Sequence, residues 1–193
     1  QGNLEYAAHS ALFFSFYQSL SGTPLDEVAA NLQKYRQFIT EKKFAYNLEF
    51  IRLWQQYVQN MQGSAEDPLQ LQGEAFNENV QLPALEQSNN VTILFCYHSI
   101  KLMLAYVFDD DATALHHYQA ALPLTGVAMS LYHQTEFYFY AGLLATRLCK
   151  QSPELQQQWQ PLAEQYVQML QQWTHREAAN HQHKVALLEA ELA

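Results

Sequence analysis

The sequence predicts an all-α protein, built from antiparallel helix pairs stacked as a short α-α solenoid. Two observations carry this. Apolar residues step by three and four almost everywhere, as in Phe50, Leu53, Trp54, Tyr57, Val58 and Met61, which places them along one helical face. Strand-like alternation is not sustained anywhere in the chain. A third observation, the recurrence of helix-start signals, divides the helical material into segments.

In order, the spacing predicts helices near 3–20, 24–42, 45–62, 91–108, 110–122, 127–150, 152–175 and 180–193. Val28, Leu32, Tyr35 and Ile39 carry the second; Leu155, Trp159, Leu162, Tyr166, Leu170 and Trp173 carry the seventh. Thr23 before Pro24, with Asp26 and Glu27 following, supplies a cap, a first-turn proline and first-turn acids. Ser152-Pro153-Glu154 repeats that grammar. Asp109-Asp110-Asp111 ends one apolar helix and starts the next, and Pro161 marks a point of kinking or splitting. The stretch 63–90, holding Gly63, Pro68, Gly73 and Pro83, is expected to be a long irregular connection.

The helices pair. Tyr6 to Leu20 and the helix ending at Glu41 form one hairpin around Ser21-Gly22-Thr23. Ile93 to Phe108 and Ala112 to Leu122 form another, and Gln134 to Trp173 a third. In the second hairpin Ala114, Tyr118, Ala121 and Pro123 fall roughly where tetratricopeptide repeats interlock small and large residues. A hairpin of this kind buries its inner face only by stacking on its neighbours. The expectation is therefore one tetratricopeptide-like domain over residues 1–193. Both ends read as cut, since the chain opens on Gln1 and closes inside a helical run.

Composition narrows the function. The 193 residues are 49% hydrophobic and 13% aromatic, which excludes intrinsic disorder. Only 15% are charged, and 24 glutamines supply the missing polarity. A net charge of −9 argues against nucleic acid as a partner. The apolar run from Ile93 to Phe108 is too short to span a bilayer and carries Lys101. Cys96 and Cys149 sit in apolar helical runs, which suits a reducing cytoplasm better than a disulfide scaffold. The six glycines are too scattered for a phosphate-binding loop, and H-E-x-x-H, G-x-S-x-G and C-x-x-C are missing.

No catalytic, cofactor-binding or metal-ligating residue is assigned. Asp109, Asp110 and Asp111 read as a helix-joining turn, because Thr113 and Ala114 stand where a metal-diphosphate motif needs another acid. His175, His181 and His183, like His116 and His117, lack a standard zinc spacing. Lys34, Arg36, Lys42, Lys43 and Arg52 hold half of the basic residues; they read as solvated helix ends or as an interaction patch for an acidic partner. Phe13, Phe14, Phe16 and Tyr17, and Phe137 to Tyr140, read first as core and second as a ligand cavity. In the cavity reading His98, His133 or Glu136 supplies the polar anchor. Gly73, Phe76, Leu82 and Pro83 are expected to anchor the long connection against the array.

An ordered set of phrases carries a resemblance. It comprises Gly73-Glu74-Ala75-Phe76-Asn77-Glu78 with Leu82-Pro83, Thr92-Ile93-Leu94-Phe95, Lys101-Leu102-Met103-Leu104-Ala105-Tyr106, and Phe137-Tyr138-Phe139-Tyr140 with Gly142-Leu143-Leu144-Ala145. Trp173, Asn180, His183-Lys184 and Leu187-Leu188-Glu189-Ala190-Glu191 complete it. The chain resembles the tetratricopeptide-like helical region of large bacterial signalling kinases. Those proteins also carry a protein-kinase-like domain, a regulatory ATPase, a GAF sensor and a histidine kinase. The resemblance implies a cytoplasmic, non-enzymatic interaction and relay module in a two-component system. It would need no cofactor, and its partners would be other domains of the same polypeptide and a regulatory protein. The competing expectation is a small-molecule-sensing helical domain of an ATPase-containing transcription regulator, or a stand-alone protein.

Overall fold

The structure, a computed structural model, describes residues 3–129 and 131–193. Gln1, Gly2 and Ser130, the last within the expected 127–150 helix, lie outside the described residues. Helices account for 79% of the chain and no strand occurs among the described residues, so the all-α expectation holds. The helices are α1 (Leu4–Leu20), α2 (Leu25–Glu41), α3 (Ala45–Met61), α4 (Glu78–Gln87), α5 (Val91–Val107), α6 (Asp111–Ala121), α7 (His133–Cys149), α8 (Pro153–Thr174) and α9 (Ala178–Leu192). A 3₁₀ helix, Leu122–Ala128, follows α6. The chain divides into two compact units, residues 1–100 and 101–193, and α5 supplies residues to both.

In the first unit the caps follow from local chemistry. The Asn3 side chain accepts the Glu5 amide and opens α1. Gly22 and Lys43, both at positive φ, stop α1 and α2 with a left-handed residue. Pro24 lies just before α2, one place earlier than the spacing suggests, and Thr23 bonds Ser21 rather than capping. α1, α2 and α3 pack on one another in sequence order. Phe16 stacks on Trp54 with centroids 5.1 Å apart, and Leu12, Val28, Leu32, Ile39 and Ile51 of the same three helices are buried as well. α3 is buried around most of its circumference, including Gln55, Gln56 and Asn60.

Those buried amides explain the connection after α3. Asn60 donates to the carbonyls of Pro68 (3.0 Å) and Gln70 (2.7 Å), and accepts from Gln56. The Phe76 amide donates to Gln56 Oε1. The loop thus lends its backbone polar groups to α3 side chains, and Leu71, Ala75 and Phe76 fill the space beside them. Gly73 is needed for close approach, since a Cβ there would lie 2.5 Å from Gln56 Oε1.

The 63–90 segment is not irregular throughout, which corrects the expectation from Pro83. α4 forms because Asn77 accepts the Asn79 amide while Gln81 accepts the Asn77 amide, a reciprocal cap. Pro83 removes one donor inside α4, but Pro83 and its i−4 residue Asn79 are both exposed, so the loss falls on the solvent side of the helix. Of the expected anchors, Gly73 and Phe76 touch or fill the core. Leu82 is half-buried and Pro83 exposed.

In the second unit Asp110 caps α6 through the Thr113 amide and hydroxyl, as the acidic turn predicts. Arg147 of α7 gathers that turn. Its guanidinium lies 3.8 Å from the Tyr106 ring centroid and bonds the Tyr106 carbonyl, Asp109 and Asp111. Tyr118 of α6 lies against Phe137 and Trp159, its hydroxyl 2.8 Å from that of Tyr166. α7 starts at His133 rather than 127, because Pro123 and Gly126 favour the tighter 3₁₀ turn before it. Ser152 caps α8, which runs unbroken through Pro161. The proline and its i−4 partner Gln157 both face solvent. α7, α8 and α9 pack mutually around Phe139, Leu143, Val167, Leu170, Val185 and Leu188. No helix among the described residues is long and apolar enough to cross a membrane.

Phe76→Ala should cost about 3–5 kcal/mol in urea unfolding, as expected for a large ring deleted from a core. Leu82→Ala, half in solvent, should cost roughly 1 kcal/mol or less. Equal losses would mean that α4, rather than the preceding loop, holds the connection.

Candidate functional site

The most unusual chemistry in the described residues lies between α7 and α9. Tyr132, Glu136 and Tyr140 follow at four-residue spacing, so the α7 face that carries Glu136 is flanked by phenols one turn either way. On α9 His181, Lys184, Val185 and Leu188 share the buried stripe. Helix packing brings the two stripes together. Lys184 Nζ lies 2.8 Å from Glu136 Oε1 and donates to Oε2 at 2.9 Å, with the two side chains 7% and 4% exposed. The same ammonium sits 4.6 Å from the Phe139 ring centroid.

The surroundings respond to this pair. Burial, then the Glu136 charge, pushes the Tyr140 hydroxyl up to about 12. Burial raises Tyr132 as well, with Glu136 adding to it, and the Tyr132 hydroxyl donates to the Asn180 carbonyl at 3.2 Å. His133, fully buried, is held neutral with its pKa lowered to about 3. His181 is lowered too, first by burial and then by Lys184. Glu136 is therefore committed to Lys184 rather than open as a ligand anchor. A closed charge pair of this kind joins two helices and presents no reactive group.

The other sequence candidates are dispersed. Lys34 and Arg36 are two residues apart on α2 and so point about 200° apart around its axis. Arg36 reaches Glu74 at 3.8 Å and Arg52 pairs with Glu49 at 3.1 Å. Lys42 caps the end of α2 and Lys43 supplies its left-handed stop, and Lys34, Lys42 and Lys43 are exposed. Among the histidines, His117 and His181 are buried, while His116, His175 and His183 face solvent. Among the described residues no group of three or more His, Cys, Asp or Glu is placed to hold a metal ion. Cys96 is buried and Cys149 half-buried, and neither forms a disulfide.

The Glu136–Lys184 partnership and the Gln56–Asn60 amide pair were not foreseen from the residues. Lys184 carried a signal nonetheless, since it sits in the apolar stripe with Val185 and Leu188. Comparison of the chain with protein-family models, curated proteins and solved structures finds no match.

Lys184→Met strands a buried carboxylate and should cost about 3–5 kcal/mol. Adding Glu136→Gln should recover most of the loss, because the uncompensated charge is gone. Strictly additive losses in urea titrations would show that the pair is energetically inert. A pH prediction follows from His133, whose ordinary pKa is 6.5 and whose folded value is about 3. Below the ordinary value the unfolded chain takes a proton that the folded chain refuses, so stability is lost as pH falls. At pH 5 the loss should reach about 2 kcal/mol relative to pH 7, and His133→Gln should flatten that slope.

Proposed function

We propose that this chain is a non-enzymatic interaction and relay module, the tetratricopeptide-like helical segment of a multidomain bacterial signalling kinase in the cytoplasm. The observation that carries the reading is where the phrases of the resemblance fall. Gly142 lies where α7 meets α9, and a Cβ there would come within 3.0 Å of both Leu188 methyl carbons. Lys184 and Leu188 of the last phrase, and Phe137, Phe139, Leu143 and Leu144 of the middle ones, are all buried. Part of the likeness thus rests on residues that pack helix on helix, while Glu74, Asn180, His183 and Leu187 of the same phrases are exposed.

Mechanistically, paired helices of a tetratricopeptide-like array hold a protein segment or an adjoining domain on their outer faces. A binding event alters output only if it favours one packing over another, so coupling must act through helix–helix contacts. In this reading the regulatory ATPase lies upstream and the GAF and histidine-kinase domains downstream. The rival, a small-molecule sensor, has one observation in its favour. A groove of about 380 Å³ between α3 and α4 is lined by Tyr46, Val80, Ala84 and Leu85.

Sequencing the complete parent reading frame outward from both ends tests the proposal. A phosphate-binding ATPase before this segment and a GAF plus histidine kinase after it is the expected result. Flanks lacking both overturn it, and a thermal-shift screen against the α3–α4 groove then becomes the next measurement.

A further inference from the structure

We propose that His181 is a proton-operated release for α9: on taking up a proton it frees the helix from α7 and α8. The proposal needs only the α7–α9 packing and is independent of the signalling assignment.

His181 is 8% exposed, and its ring lies in an aromatic slot. Its centroid is 6.1 Å from that of Tyr132 in a stacked arrangement and 6.0 Å from that of Trp173 on α8. Nδ1 is buried and has no hydrogen-bond partner. One turn along α9 the Lys184 ammonium is already held by Glu136. Charge between Lys184 and Glu136 is balanced while His181 is neutral, and the two rings that flank it, Tyr132 and Trp173, carry no charge.

A proton on His181 undoes that balance in two ways. It creates a buried N–H donor with nothing to accept it, which costs the desolvation of a charged group. It also places a second cation three residues from Lys184, on the same face of α9. The groups facing the ring offer little relief. α9 itself brings His183, which is exposed, and the turn before it brings Glu177, an exposed carboxylate whose attraction offsets the new charge only in part. His175 and Arg176, at the end of α8, face solvent, and α8 contributes the uncharged Trp173. From the α7 side come Tyr132, an uncharged phenol, Glu136, whose charge is paired with Lys184 while its Oε1 makes no hydrogen bond, and His133, held neutral with its pKa lowered to about 3.

Once α9 leaves, His181 is hydrated and Lys184 no longer shares a dry site with it. The released state therefore binds the proton more tightly than the docked state, and acidification shifts the population toward release. Release uncovers Phe139, Leu143, Val167 and Leu170, the apolar surface that Val185 and Leu188 cover when α9 is docked.

Amide hydrogen exchange on the whole chain, expressed as protection factors so that intrinsic rates cancel, tests this. Between pH 7.5 and pH 5.5 protection in α9 should fall several-fold more than in α8, up to about tenfold. His181→Phe, which keeps the aromatic slot filled and cannot titrate, should remove the difference; His181→Gln serves if the phenylalanine variant does not fold. Constant α9 protection in the unmodified chain overturns the proposal. An equal fall in the non-titrating variant does so too. So does a loss shared by α7, α8 and α9 alike, which marks unfolding of the whole unit rather than release of one helix.

Discussion

The Lys184 ammonium sits where water does not reach, and a charge so placed must meet its opposite or the helix that carries it cannot dock. Glu136 meets it, within hydrogen-bond distance, from the first turn of α7. Hydrophobic contact alone does not choose a register for α9, since Val185, Leu188 and Leu192 offer interchangeable apolar surface to α7 and α8. The ion pair does choose, because sliding α9 by a turn would bury both charges unpaired. The aromatic slot around His181 and the fit of Gly142 under Leu188 both presuppose that register.

The first unit obeys the same constraint in neutral form. Gln56 and Asn60 are polar groups on a helix that is covered on nearly all sides, and each must find a partner. They find each other and the backbone of the loop that follows α3. That exchange satisfies loop carbonyls as well as side chains, so a stretch rich in Gly, Pro and Ser lies ordered against α3 with Phe76 inserted beside it. Arg147 plays the corresponding part at the acidic turn, where it answers Asp109, Asp111 and the Tyr106 carbonyl together. In each case a buried or half-buried polar side chain on one helix organises backbone outside that helix.

Helix positions were legible because their causes are local. Periodic apolar residues and the Ser152 and Asp110 caps act within a turn or two, and α8 and α6 start where those caps say. The exceptions share a physical reason. α4 tolerates Pro83 on a side where Asn79 and Pro83 are exposed, and exposure is a property of the packed chain rather than of the dipeptide. α7 begins later than its apolar residues suggest because Pro123 and Gly126 tighten the backbone before it. The basic residues from Lys34 to Arg52 are contiguous in sequence but diverge in space, since neighbours on a helix point apart and Arg36 and Arg52 turn toward nearby acids.

The amino-acid sequence by itself determined that this protein is helical, where most helices begin, and which faces of α2, α3 and α8 turn inward. Those properties follow from backbone sterics, capping and the free energy of covering apolar surface, and each is set by residues a few places apart. Tertiary structure alone decided that Lys184 would be buried on Glu136, that Gln56 and Asn60 would receive a loop, and that His181 would face Tyr132 and Trp173. A charged or polar side chain is at home in water unless packing removes it. Whether it becomes a surface group, a register pin or a proton-sensitive contact depends on which element arrives to cover it.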